Sequence, residues 1–325
     1  MNGLVVTEIR SERGDMRIIV TGGGGFLGRL LIKELQEEGA DDVVAIDVVE
    51  TSIPGVKTLQ GDLAHDQLLP GLLEDGPCTI FHLASVVSAG AEADWEHAVD
   101  QNIGGMLQLL EACRRSTHVH KVVFASTLAV FGGATAGAEV GDFVKQTPAG
   151  TYGTTKAIGE LLINDATRKG HIDGRSARLP TVIVRPGAPN AAASGFASGL
   201  FREPLAGLES VVPVSEETIM VVGSAQNTAT CIRLVAELES DRLGHDRAVG
   251  VPGLSATVGE MLEVLEKVGG PEARALVKLE YDAATDELVQ SWPAQLDDVR
   301  GRELGLPGDP DLESMVRSYV EMISQ

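Results

Sequence analysis

The sequence predicts an α/β protein, with a doubly wound parallel sheet followed by a smaller and looser C-terminal region. Short apolar strand patterns alternate with amphipathic helical patterns through the first half of the 325 residues. Such alternation indicates a parallel sheet covered on both faces. A glycine-rich turn also joins the first strand to the first helix, where sheets of this kind bind ligands.

Residues 1–15 precede the first strand pattern and read as an N-terminal extension, with Met16 as an alternative start. Arg17 to Thr21 (RIIVT) is a buried strand bounded by glycines. The helix that follows carries Phe26, Leu27, Leu30, Leu31 and Leu35 on one face, and Gly39 stops it. Strands are expected at 43–47, 56–59 and 79–84. A long helix is expected over 94–115, with Trp95, Ala98, Val99, Met106 and Leu110 as its apolar stripe. Lys121 to Ser126 is the next strand, and Thr181 to Val184 follows after one more helix. Past Arg185 come loops rich in glycine, serine and proline, then helices near 227–238, 257–268 and 311–323. We therefore divide the chain into a sheet domain over 16–185 and a mainly substrate-binding region over 186–325, interleaved with the sheet's last strands and helices.

With 43% hydrophobic and 22% charged residues, the chain has ample material for a core. Its net charge of −21 argues against a nucleic-acid surface, which needs clustered Lys and Arg. Cys78, Cys113 and Cys231 are odd in number and far apart, which fits a reducing compartment and neither a disulfide framework nor a metal site. No apolar run approaches a membrane span and the N-terminus lacks a signal-peptide core, so no membrane partner and a cytoplasmic location are expected.

Thr21-Gly-Gly-Gly-Gly-Phe-Leu-Gly28 sets Gly22, Gly25 and Gly28 at the spacing G-x-x-G-x-x-G between strand and helix. Glycine permits the tight turn, the approach of backbone to a pyrophosphate and close helix–strand packing. The helix N-terminus then offers free N–H groups and positive dipole to the phosphates. A Rossmann-type dinucleotide site is expected, with Gly22, Gly25, Phe26, Leu27 and Gly28 along the cofactor. Asp47 ends the second strand about twenty residues later, where an acid accepts from ribose hydroxyls and repels a 2′-phosphate. That favours NAD over NADP, since Val48 and Val49 supply no arginine. Asp62 and Leu63 are expected at the adenine. Leu83, Ala84 and Ser85 are expected along the phosphates and nicotinamide ribose, with His82 a packed strand residue.

Tyr152-Gly-Thr-Thr-Lys156 places a phenol and an ammonium at i and i+4, about 5–6 Å apart on one helix face. A nearby cation stabilises a phenolate, making a poor base a usable one, and the ammonium has donors left for the nicotinamide ribose. Ser126 and Thr127 leave the fifth strand at its carboxyl end. Either hydroxyl can hold the reacting oxygen beside Tyr152, and Ser126 is also expected at the cofactor. Asn102 sits on an otherwise apolar helix stripe, where a buried amide must find partners, structural or catalytic.

As a set, T-G-G-G-G-F-L-G, Asp47, G-D-L, H-L-A-S, A-S-T-L-A-V-F-G and Y-G-T-T-K resemble the extended short-chain dehydrogenase/reductase family, which includes NDP-sugar epimerases and dehydratases. The resemblance covers about residues 16–325. It implies bound NAD, Thr127 in the place of the catalytic Ser/Thr, and a dimer packed through the helices carrying Asn102 and Tyr152. Pro186 and Gly187 stand where nucleotide-sugar enzymes carry other residues, which puts a sugar-diphosphate site in doubt; Pro186 is assigned to the cofactor site. The stretches around 172–190 and 196–207 resemble the D-erythronate dehydrogenase branch. This implies oxidation of the C2 hydroxyl of a short sugar acid, with Tyr152 as acid/base and Lys156 tuning it. The substrate carboxylate needs charge-assisted donors. Arg202 is the first candidate and Arg178 and Arg185 are alternatives, with Asn190, Ser194 and Ser198 as neutral helpers. Two other readings stay open: an NDP-sugar 4-epimerase or dehydratase that retains its NAD, and a non-catalytic NAD sensor.

Overall fold

The structure, a computed structural model, describes residues 16–185 and 193–323. The N-terminal extension and two candidate site residues, Pro186 and Asn190, lie outside the described residues. The first half runs β1 (Ile18–Thr21), α1 (Phe26–Glu37), β2 (Val43–Asp47), β3 (Lys57–Gln60), β4 (Thr79–His82), α2 (Ser88–Ala93), α3 (Trp95–Val99), α4 (Gly105–Arg115), β5 (His120–Thr127), β6 (Glu139–Val140), α5 (Thr151–Arg168), β7 (Ile172–Leu179) and β8 (Thr181–Ile183). The second half runs α6 (Gly195–Leu205), β9 (Ser210–Val212), β10 (Ile219–Ser224), α7 (Ala225–Glu237), α8 (Ser240–Leu243), β11 (Ala248–Gly250), β12 (Leu254–Thr257), α9 (Val258–Ala275), β13 (Val277–Leu279), α10 (Ala283–Gln290), β14 (Gln295–Leu296), α11 (Val299–Glu303) and α12 (Leu312–Ile323).

Seven strands form one parallel sheet in the order β3-β2-β1-β4-β5-β7-β11. Strand alternation fills both faces. Ile19, Val44, Ile80 and Val122 point to the side covered by α4 and α5, where they meet Met106, Leu109 and Ile163. Their neighbours Val20, Ala45, Phe81 and Val123 point to the side covered by α1 and α7, against Leu31, Ile32, Ile232 and Val235. The strand order reverses between β1 and β4, and the carboxyl ends of those two strands flank the crevice where such sheets take ligands. A separate core, built on Leu200, Phe201, Met261, Leu265 and Val316, joins α6, α9 and α12 to β9 and β10. The chain leaves the main sheet after β7 to build this second core and returns to it with α7 and β11.

Two expectations need correction. The strand at 181–184 is not part of the main sheet: β8 pairs with β10 in a three-stranded sheet, β12-β10-β8. The sixth sheet strand is instead β7, whose buried Arg175, Ser176 and Arg178 hide it from a hydrophobicity reading. Arg175 is 0% exposed and donates to the carbonyls of Val235, Ala236 and Leu238, so it satisfies the end of α7 from within the sheet. The single helix expected over 94–115 is broken into α3, a π-helical turn at Asp100–Gly104, and α4. Trp95, expected on its buried stripe, is 62% exposed, and Leu109 and Cys113 complete the stripe instead.

Cys78, Cys113 and Cys231 are free and buried. Among the described residues no helix is long and apolar enough to cross a membrane, and no cluster of His, Cys, Asp and Glu could hold a metal ion.

Candidate active site

A cleft of about 660 Å³ opens along the carboxyl ends of β1, β2, β4 and β5. One wall is the glycine-rich turn. Gly22 has φ +70°, and a Cβ there would sit 2.8 Å from the Ala84 amide nitrogen of the opposite wall. A Cβ on Gly28 would come within 2.3 Å of the Gly22 carbonyl, so α1 packs on β1 more closely than any side chain allows. Gly25 caps α1 without a side-chain hydrogen bond, and the first turn of α1 carries no acid. Its N–H groups and dipole are therefore aimed into the cleft without local neutralisation. This cradle fits the pyrophosphate of a dinucleotide.

Asp47 reaches the cleft from the end of β2. Its carboxylate accepts from the amides of Gly24 (2.9 Å) and Val49 (3.1 Å), and these bonds fix its direction while lone pairs remain for ribose hydroxyls. Asp62, which also lines the cleft, is held by the Ala64 amide and the Gln101 side chain. Leu63 and Val48 add apolar surface there. Gly22, Gly25, Phe26, Leu27, Gly28, Asp47, Asp62 and Leu63 thus meet at one end of one cavity.

Leu83, Ala84 and Ser85 form the opposite wall. His82 is buried, bonds Thr21 Oγ1 at 2.8 Å and is pushed by burial to a pKa of about 3, so it is a neutral packed residue. Asn102 satisfies its whole amide: Oδ1 accepts from the Val86 amide (2.7 Å) and Ser85 Oγ (3.1 Å), while Nδ2 donates to the Val86 carbonyl and to Thr155 Oγ1 (3.0 Å). It thereby ties the loop after β4 to α5, and the π-helical turn that carries it turns the amide inward from the end of α3.

Tyr152 opens α5 at the far end of the cleft, beside Thr127 at the end of β5. The Thr127 hydroxyl favours the ionised form of the Tyr152 phenol. Thr127 Oγ1 also accepts from the Ala129 amide at 3.1 Å, which fixes its rotamer. Close approach of α5 to this strand end depends on Gly153, where a Cβ would lie 2.0 Å from the Ala129 carbonyl oxygen. Lys156 is buried one turn along; its ammonium donates to the Ala125 carbonyl at 2.7 Å and lies 5.6 Å from the Tyr152 ring centroid.

Burial governs both groups. It pushes the Tyr152 phenol up to about 12, against a lowering by Thr127, and pulls Lys156 down to about 7, against the carboxylate of Glu160. Burial therefore dominates the Tyr152 phenol, and the groups that shift it do not include Lys156, which the spacing had suggested.

The two hydroxyls at the end of β5 diverge. Both residues line the cleft, but Ser126 turns its hydroxyl to Glu160, donating to Oε1 at 2.5 Å. The arginine candidates also separate. Arg178 is buried against Glu160, with contacts of 3.0 and 2.7 Å. Arg202 is buried, paired with Glu203, and away from the cleft lining. Ser198 is likewise buried and bonds the Val182 carbonyl. Arg185 and Ser194 line the cleft. Sequence reasoning missed Gln101, Ser88 and Trp292, which line it too. Gln101 had a signal, since it precedes Asn102 in a polar pair on an apolar helix; Trp292 comes from far along the chain and had none.

The family model described as the NAD dependent epimerase/dehydratase family matches residues 18–246. A D-erythronate dehydrogenase of Cupriavidus necator is 38% identical to this chain, over 94% of this chain and 98% of that protein. A D-erythronate dehydrogenase of Haemophilus influenzae is 37% identical, over 94% of this chain and 99% of that protein. A crystal structure described as the nucleoside-diphosphate-sugar epimerase from Agrobacterium tumefaciens superposes with a TM-score of 0.89 at 35% identity, covering 96% of both chains.

Proposed function

The chain belongs to the NAD dependent epimerase/dehydratase family and is an NAD-dependent oxidoreductase, and from that premise we propose that it oxidises the C2 hydroxyl of a short sugar acid, D-erythronate or a close analogue, to the 2-keto acid. The observation that carries this reading is the meeting of three groups in one cleft: Tyr152 with Thr127, the glycine cradle, and a cation, Arg185, with Ser194 in the same lining.

Bound NAD supplies the hydride acceptor. Thr127 holds the C2 oxygen and Tyr152 takes its proton, while C2 loses a hydride and its C–O bond becomes a carbonyl; the proton passes on to solvent. Because burial holds the phenol up near 12, its ionisation depends on positive charge close by, which protonated Lys156 provides. Arg185 replaces Arg202 as our candidate for the substrate carboxylate, because Arg185 lines the cleft and Arg202 does not. An arginine fork on a carboxylate gives two parallel charge-assisted bonds and fixes which carbon faces the tyrosine. We extend the proposal to a cytoplasmic homodimer packed through the α3–α4 segment and α5, where Trp95 of α3, Leu107 of α4 and Leu161 of α5 are 62%, 50% and 62% exposed.

The test is NADH formation across four- to six-carbon aldonates and UDP-sugars, followed at 340 nm (an assay wavelength). A net signal with the four-carbon acid supports the dehydrogenase. The Agrobacterium relative favours a second reading, an epimerase, which would convert a nucleotide sugar with no net NADH. Tyr152→Phe with every turnover unchanged would favour the non-catalytic sensor.

A further inference from the structure

Tyr152, Lys156 and Glu160 recur every fourth residue of α5 and so share one helix face. Lys156 faces Ala125 and the Phe124 ring of β5, with Tyr152 before it, His82 of β4 near it, and Glu160 after it. Glu160 is 1% exposed and fully engaged. Arg178 of β7 forks onto it, Ser126 of β5 donates to it at 2.5 Å, and Gln146 bonds its second oxygen. Arg178 is in turn held by the Asp142 carbonyl at 2.8 Å, and the Asp142 carboxylate pairs with Arg300. The network ties Glu160 of α5 to β5 through Ser126 and to β7 through Arg178. A buried ion pair is weak evidence for stability alone, so a network this large directly behind a catalytic pair calls for another role.

We infer that Glu160, locked by Arg178 and Ser126, is a positioning residue for Lys156: its carboxylate is the fixed counter-charge that keeps the ammonium seated at the Ala125 carbonyl beneath Tyr152. This assigns Ser126 a place in the same device, as the tether between α5 and β5. The inference rests on the Tyr152–Lys156 reading above. Glu160 is the charge that opposes the desolvation of Lys156, and the Arg178 fork holds that carboxylate in place. Without that carboxylate, a buried lysine gives up its proton at lower pH and the tyrosine loses its cation.

The test titrates Lys156 in the full chain by NMR of lysine labelled with carbon-13 at Cε, its signal assigned by loss in Lys156→Arg. Glu160→Gln is expected to lower the midpoint by about one pH unit, and the alkaline limb of kcat/KM to move down with it while the plateau falls about tenfold. Glu160→Asp restores the midpoint, and Ser126→Ala leaves it in place because the charge remains. Should Glu160→Gln not fold, Glu160→Met with Arg178→Met removes the pair together and lowers the midpoint likewise. A midpoint within 0.2 units of wild type, taken as roughly the precision of such a titration, in either carboxylate-free variant overturns the inference. A failure of the functional reading looks different: wild type forms no NADH from any acid, while the Lys156 titration is decided without substrate.

Discussion

Replacing Gly153 by alanine tests whether catalysis depends on how closely α5 approaches the end of β5. The added Cβ would lie 2.0 Å from the Ala129 carbonyl oxygen and 2.8 Å from its carbon. Ordinary contact begins near 3.4 Å, so the first turn of α5 must retreat by about 1.4 Å or the β5 turn must give way. Neither is soft: Ala129 is pinned by the Thr127 hydroxyl, and Lys156 is anchored at Ala125. The retreat carries Tyr152, the preceding residue, away from Thr127. A misplacement of about 1 Å in a reacting group lowers a rate about 100-fold, while overpacking of this kind destabilises by about 1–3 kcal/mol. Gly153→Ala should therefore lower kcat about 100-fold, with the Kd for NAD changed less than about threefold because the glycine cradle is untouched. Thr154→Ala, an exposed neighbour, is the control and should keep kcat within about twofold. The assay pairs steady-state kinetics with NAD titration by fluorescence. Gly153→Ala with wild-type kcat and wild-type melting would refute the argument that this contact sets the position of the tyrosine.

Three further predictions concern the cofactor, the substrate and pH. Asp47→Ala should raise the KM for NAD at least about tenfold, since a charged acceptor is worth about 1.5–3 kcal/mol per bond, and should narrow the preference over NADP; an unchanged NAD/NADP ratio would count against ribose recognition by Asp47. Arg185→Leu should raise the KM for the sugar acid about 10–100-fold with kcat altered far less, whereas Arg202→Leu should act through stability, read by thermal melting. His82, held neutral near 3 against an ordinary 6.5, stays unprotonated in the folded chain while the unfolded chain takes up a proton. Its burial therefore has no effect on stability above pH 6.5 and costs about 1.4 kcal/mol for each unit below it, down toward pH 3. His82→Asn should flatten the fall of melting temperature between pH 6.5 and 4, and an unaltered slope would show that other groups govern it.

The strands of the nucleotide half were legible because Ile19, Val20, Val44, Phe81 and Val123 are apolar on both faces, and the glycine spacing reads directly as a turn geometry. Tyr152, Lys156 and Thr127 could be placed from motif and order. Three features could not. β7 places Arg175, Ser176 and Arg178 at buried positions, and only tertiary partners, the carbonyls of α7 for Arg175 and the carboxylate of Glu160 for Arg178, make the two arginines tolerable inside. The break after α3 carries no proline, so its π-helical turn follows from Asn102 seeking the Val86 backbone, a contact 16 residues away. The choice among Arg178, Arg185 and Arg202 depended on which one the fold brings to the cleft, and only Arg185 is in its lining, which spacing along the chain does not reveal.

The central claim is that hydride leaves C2 of a short sugar acid while Tyr152 receives the hydroxyl proton. D-Erythronate deuterated at C2, incubated with the protein and NAD, tests it in one measurement of label in the recovered nicotinamide. The account predicts one deuterium at the nicotinamide C4 per molecule of 2-keto acid formed. Reduced cofactor without label, or none released at all, would contradict it.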